Sequence, residues 1–160
     1  MKFAMNEADK NRLLDKVLNK GEYYKFKIWG VLMANDKEYR EIVAVSSSFN
    51  PALSGTVAGA LGSLSNKYSY IGMTDKTINF IILDNFNASK VKERLIIPIT
   101  EIINANVKNS FIPKRKVATI KLKDHTKLKI SLMENAIGTD IKNQKEGVDA
   151  FCEFLKSKKE

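Results

Sequence analysis

The residues of this chain best suited to chemistry stand in one stretch, PKRKVATIKLKDHTKLK, Pro113 to Lys129, where seven Lys or Arg residues face a single Asp within seventeen positions. A cation array of that density raises the local potential whatever the fold, and it attracts phosphates and carboxylates. Lys114, Arg115, Lys116, Lys121, Lys123, Lys127 and Lys129 are therefore the candidate anion-binding residues. A solvated strand face that keeps a sheet soluble would account for the same charges without a ligand. Catalysis has less to work with. A metal site needs several His, Cys or carboxylate groups converging, and the chain holds one His, His125, and one Cys, Cys152. Cys152 falls on the apolar stripe of a helix, which suits a core residue better than a thiolate nucleophile with a His beside it. His125 falls in a turn. No nucleophile and base stand in a workable relation, so the chain reads as a non-enzyme with no catalytic residue, metal or cofactor assigned.

A hairpin must hold those cations. Ala118, Ile120 and Leu122 share one strand face, as do Leu128, Ile130 and Leu132 on the return strand, and both sets should point into a core. Setting Leu122 against Leu128 leaves Asp124, His125 and Thr126 as a three-residue loop. It also sets Lys123 against Lys127 and Lys121 against Lys129, two like-charge pairs that would each cost about 0.2–1 kcal/mol relative to neutral pairs.

The elements around the hairpin are mostly strands. YSYIGMT and TINFIIL flank a tight turn at Asp75 and Lys76, and ERLIIPI, EIINANVKN, KVATIKLK and TKLKISL follow at short intervals. Six strands so closely spaced should be antiparallel. Pro98, with no amide to donate, belongs where one strand ends and the next begins. Asp75 is expected to accept amide hydrogen bonds across its own turn. Upstream, a strand from Glu22 places Tyr24, Phe26 and Ile28 on one side and Lys25, Lys27 and Trp29 on the other, with Gly30 expected as a bulge. REIVAVSSS, Arg40 to Ser48, is a further candidate strand. NPALSGTVAGALGSLSN, Asn50 to Asn66, carries no charge, and its glycine spacing fits neither the phosphate loop nor the dinucleotide fingerprint. It reads as an insert or a short helix over the end of a sheet.

Helices are expected at both ends. Asn6 and Asp9 suit a helix start, Leu13, Leu14, Val17 and Leu18 recur on one face, and Gly21 suits its end. In NQKEGVDAFCEFLKSKKE, Asn143 and Glu146 suit a capped start, and Val148, Phe151, Cys152 and Leu155 form a stripe that must be buried.

With 160 residues, 44% of them hydrophobic, the chain suits one domain over 1–160. Its parts would be an N-terminal helix in 1–21, the Gly-rich insert in 50–66, antiparallel strands in 68–133 and a C-terminal helix in 143–158. No apolar run approaches the roughly 20 residues a membrane span requires, and the charged N-terminus leaves no room for a signal region. A cytoplasmic place is expected, peripheral to the membrane if the basic face docks there. The net charge of +9 comes mostly from residues 108–129.

Antiparallel strands followed by one amphipathic C-terminal helix follow the order of a pleckstrin-homology domain. Tyr70-Ile71-Gly72-Met73-Thr74-Asp75-Lys76-Thr77-Ile78-Asn79-Phe80, then Ile97-Pro98-Ile99-Thr100-Glu101-Ile102, resembles the signature of bacterial PH-like domains of the YokE type. In that signature a GxTDKRLxF-like hairpin precedes an IPxxxI junction. The resemblance covers Tyr68 to Leu155 and departs at Thr77, where Arg is usual, and at His125, where a turn Gly is usual. It implies a mainly β fold, a bent antiparallel sheet or partly open barrel capped by the C-terminal helix, here with an extra N-terminal helix, and a binding or scaffold role without a set ligand. Phosphoinositide-binding PH domains carry their cations between the first two strands, whereas here the excess lies on later strands, so that ligand is not carried over. The expected partner is an acidic protein surface or anionic lipid headgroups. Nucleic acid ranks lower, because its binders interleave aromatics with cations and this hairpin has none. The alternative is a self-assembling scaffold, a homo-oligomer joined by the Gly-rich segment and a sheet edge.

Overall fold

The period-two pattern from Phe26 onward becomes strand in the computed structural model, which describes residues 5–33, 66–84, 90–111, 114–123, 126–134 and 139–158. In chain order the elements are α1 (Glu7–Lys16), β1 (Phe26–Met33), β2 (Asn66–Met73), β3 (Thr77–Leu83) and β4 (Val91–Pro98). A 3-10 turn (Ile99–Glu101), β5 (Ile102–Phe111), β6 (Lys114–Leu122), β7 (Lys127–Leu132) and α2 (Gln144–Lys156) follow. Every strand pair is antiparallel, in the order β4-β3-β2-β1-β7-β6-β5.

That order forces a bend. β4 and β5 stand at opposite ends of the sheet, which if flat would lie about 29 Å apart at normal strand spacing. Only three residues join them, a link that spans at most about 14 Å. The sheet therefore curls until its two ends approach at one corner without pairing. Two amides fasten that corner, Ile99 N–H to the Lys76 carbonyl at 2.8 Å and Lys123 N–H to the Glu101 carbonyl at 2.9 Å. Pro98 closes β4 there, as its missing donor requires. The result is the mainly β, PH-like arrangement expected from the sequence: a bent, unclosed antiparallel sheet with a C-terminal and an N-terminal helix.

Inside the bend, α2 lays Val148, Phe151, Cys152 and Leu155 against Ile28, Phe80, Leu122 and Leu132, all buried. The Phe151 ring sits 5.4 Å from that of Phe26. The helix approaches β1 so closely that a Cβ on Gly147 would stand 2.3 Å from Ile28 Cγ2. Its start differs from expectation: Asn143 adopts a left-handed conformation (φ 60°) and makes no side-chain cap bond. Gln144 has the stronger role. β1 and β7 pair only from Val31 to Met33, which leaves the Trp29 backbone in need of partners. Gln144 Oε1 accepts from Trp29 N–H at 3.1 Å, while its Nε2 donates to the Trp29 carbonyl at 2.9 Å and the Met133 carbonyl at 2.8 Å. Replacement by Leu would strand three part-buried backbone groups and should lower unfolding free energy by about 2–3 kcal/mol. Denaturant titration reads this directly, and a change within about 0.5 kcal/mol, the range of an ordinary surface substitution, would show that the bridge does not hold the strands.

α1 covers the other face of the sheet, over β1, β2 and β3. Its start is as expected: Asn6 Oδ1 accepts from Asp9 N–H at 2.8 Å. Leu13 and Leu14 are buried against Tyr70, Ile81 and Leu83. The helix stops at Lys16, short of Gly21, which serves instead at φ 86° in the turn where Glu22 N–H bonds the Asn19 carbonyl at 3.0 Å. Lys10 is buried and ties three segments together. Its ammonium donates to the carbonyls of Lys27 and Lys142 at 3.2 Å each and pairs with Glu7 at 2.7 Å. Burial alone would raise the Glu7 carboxyl, but Lys10 and the Lys142 amide hold it below the usual carboxylate range.

Three further expectations change. Tyr24 does not share a side with Phe26 and Ile28. Its ring lies on Gly72 across the opposite face, where a Cβ would stand 2.6 Å away. Its hydroxyl donates to the Leu14 carbonyl and accepts from Asn79 Nδ2 at 3.1 Å, and burial pushes the phenol up to about 12. Gly30 is no bulge, since the β1–β2 register runs through it unbroken. It faces inward, where a Cβ would stand 3.0 Å from Ile71 Cδ1. In the β2–β3 turn it is Thr74, not Asp75, whose side chain accepts the amides of Lys76 and Thr77, at 3.1 and 3.0 Å. Asp75 points outward and pairs with Lys25 at 3.0 Å. The candidate strand Arg40 to Ser48, His125 and residues 50–65 lie outside the described residues, while Asn66 opens β2.

Candidate anion-docking face

Apolar alternation positions the cations. Ala118, Ile120, Leu122, Leu128, Ile130 and Leu132 are all buried in the inner core, so residues between them face outward. The register, however, sits two residues from the expected one. Ile120 opposes Leu128 and Ala118 opposes Ile130, while Leu122 N–H bonds the Thr126 carbonyl at 2.9 Å. Lys123 therefore follows β6 directly, while Asp124 and His125, both expected in the loop, lie outside the described residues. Thr126 is nine-tenths or more buried and takes the place opposite Leu122 that the sequence reading gave to Leu128. Any even shift keeps the greasy faces inward, so alternation alone could not choose between the two pairings. Two like-charge pairs reduce to one: Lys121 opposes Lys127, and Lys129 opposes Thr119.

The seven candidate cations separate into different environments. Lys127 and Lys129 are exposed on the outer face and Lys121 is half-buried there, while Lys123 is exposed at the loop. No described carboxylate forms an ion pair with any of these four. Arg115 also faces outward, with Nη1 donating to Ser131 Oγ at 3.1 Å and Nε buried without a partner. Lys114 opens β6 opposite Phe111. Lys116 leaves the cluster, because it shares the inward-facing row of Ala118 and reaches Asp149 at 3.2 Å and Glu134 at 3.4 Å. Burial alone would lower its ammonium, yet the Asp149 and Glu134 carboxylates hold it above the usual lysine value. Cys152 is buried beside it, and burial pushes the thiol up despite that positive charge.

Residues outside the hairpin join the same face. Lys108 on β5 opposes Val117, Val117 opposes Ser131, Ser131 opposes Val31 and Val31 opposes Tyr68. That single row crosses five strands. Next to it run Met33, Lys129, Thr119 and Asn106, then Lys127, Lys121 and Asn104. Tyr68 is 40% exposed and stacks on Trp29, with ring centroids 6.4 Å apart and planes 28° apart. No local pattern in the sequence could have linked Trp29 and Tyr68 to the lysines, because the sheet order sets β7 beside β1.

No family model matches the chain, and no curated protein matches it. Among solved structures it is similar to the hSac2 domain from human phosphoinositide phosphatase Sac2, with a TM-score of 0.47 and 9% identity, over 92% of this chain and 79% of that one. A likeness at that level says nothing about function.

A cleft of about 440 Å³ between α1, β1 and α2 is of mixed charge, lined by Lys10, Lys25, Lys27 and Lys142 and also by Glu7 and Glu146. Among the described residues no group of three His, Cys, Asp or Glu could hold a metal ion, and no helix is long and apolar enough to cross a membrane.

Proposed function

We propose that this protein is a non-enzymatic binding module that docks on an extended anionic surface through the outer face of β5, β6 and β7. One observation carries the reading: Lys121, Lys127 and Lys129 share a face, and no described carboxylate pairs with them. A protein that needs lysines only for solubility can scatter them among acids. Here Lys121 and Lys127 stand directly opposed, an arrangement that costs free energy in isolation and is relieved by an anion bridging them. An anionic bilayer or an acidic protein face would satisfy such an array by charge alone. A cytoplasmic protein peripheral to the membrane, of the YokE PH-like kind, fits this reading.

Flotation with anionic and neutral vesicles tests it. Binding to anionic vesicles only, weakening steeply between low and moderate salt, is the expected result. Equal recovery with both vesicle types, or none with either alongside no retention on any other polyanion, would remove the reading. A second reading, self-assembly, draws on the unpaired outer sides of β4 and β5 at the two ends of the sheet. It predicts a concentration-dependent increase in size with no anion present.

A further inference from the structure

We propose that the anion this face takes is single-stranded nucleic acid, with Tyr68 as a stacking platform for a base and the lysines as the track for the phosphates. The inference rests on the reading of the lysine face as an anion dock and adds the identity of its partner. Lysines alone fit any polyanion, so the deciding observation lies beside them. Tyr68 stands in the same outer row as Val31, Ser131, Val117 and Lys108, and Lys129 lies one row along. From strand spacing and rise, Tyr68 and Lys129 are about 12 Å apart along the sheet, within reach of one short run of nucleotides.

Proteins that hold single strands combine a positive surface following the backbone with aromatic rings on which bases stack, and stacking tolerates any sequence because every base has a π face. Both parts are present here. The Tyr68 ring is braced by Trp29 behind it and still 40% exposed, which orders it before a base arrives. Asn104 opposes Lys121 and Asn106 opposes Thr119 on the same face, so amide and hydroxyl groups capable of bonding base edges lie among the cations. A duplex fits less well. Its base edges lie inside grooves that admit a helix or a two-stranded ribbon, and this face is the broad side of a sheet, open over β5, β6 and β7 and flanked by α1 over β1, β2 and β3. An acidic protein surface would use the ring only as a general contact, and a bilayer only as an interfacial anchor, whereas a base stacks on it face to face.

The test is fluorescence anisotropy at low salt with the full chain and a labelled, mixed-sequence single-stranded oligonucleotide of about 16 nucleotides. The matching duplex and phosphatidylserine-containing vesicles run in parallel. The single strand is expected to bind more tightly than the duplex. Tyr68→Ala is expected to weaken single-strand binding about tenfold while leaving the duplex and the salt slope unchanged, and Tyr68→Phe should restore binding. Thermal melting confirms that each variant is folded. Vesicle binding without single-strand binding would overturn the nucleic-acid inference and leave the anion dock standing. Equal affinity for single strand and duplex, indifferent to Tyr68, would likewise overturn it. Failure to bind any of the three would overturn both.

Discussion

Phe151→Ala is expected to destabilise the fold by about 3–5 kcal/mol, the cost of emptying a large aromatic site in a close-packed core. The magnitude follows from position. Phe151 is fully buried, contacts Phe26 ring to ring, and sits midway along the stripe by which α2 closes the bent sheet. The surroundings cannot relax into the vacancy, because the helix is held at its start by Gln144 bonded to Trp29 and Met133 and by the close approach of Gly147 to Ile28. A stability margin of about 5–15 kcal/mol is ordinary for a domain of this size, so the variant would melt far earlier or fail to fold. Denaturant midpoints with unchanged slope are the measurement. A loss under about 1 kcal/mol, typical of sites that collapse or face water, would mean that α2 is not the plug of the core.

Reversing Lys121, Lys127 and Lys129 to Glu is expected to lower affinity for anionic vesicles by more than about 100-fold, since each lysine near such a surface contributes about 1 kcal/mol. Reversal also adds repulsion to the lost attraction. Folding should be nearly untouched, because Lys127 and Lys129 are exposed and none of the three pairs with a described acid. Lys127→Glu alone separates folding from docking more sharply. It sets a carboxylate opposite Lys121, which should stabilise the hairpin by about 0.2–1 kcal/mol even as docking weakens. Undiminished binding by the triple variant would show that these lysines do not touch the anion.

Much of the fold was legible because burial enforces periodicity. Ile28, Leu122, Phe151 and Leu155 are all buried at positions where alternation or helical spacing placed them inward. Pro98 marked a strand junction because it lacks an amide. The local pattern was blind wherever a long-range partner decided the outcome. Tyr24 leaves the expected face because Gly72 offers a flat seat on the other side, and Gly30 looked like a bulge but accommodates Ile71, Ile130 and Leu132. The hairpin register slipped because two even pairings bury the same residues and only Thr126 distinguishes them. In the site, outward-facing Lys127 and Lys129 were legible from alternation. The withdrawal of Lys116 was not, because Glu134 and Asp149 reach it from a later loop and helix. Nor was the arrival of Trp29 and Tyr68, which depends on sheet order.

Anions are expected to land on the outer face of β5, β6 and β7. Residue-by-residue amide chemical-shift mapping during titration with short-chain inorganic polyphosphate tests this most directly. Shifts confined to Lys108, Thr119, Lys121, Lys127, Lys129 and their neighbours are the predicted result. Shifts concentrated instead around Lys25, Lys27 and Lys142, in the cleft between the two helices, would contradict it.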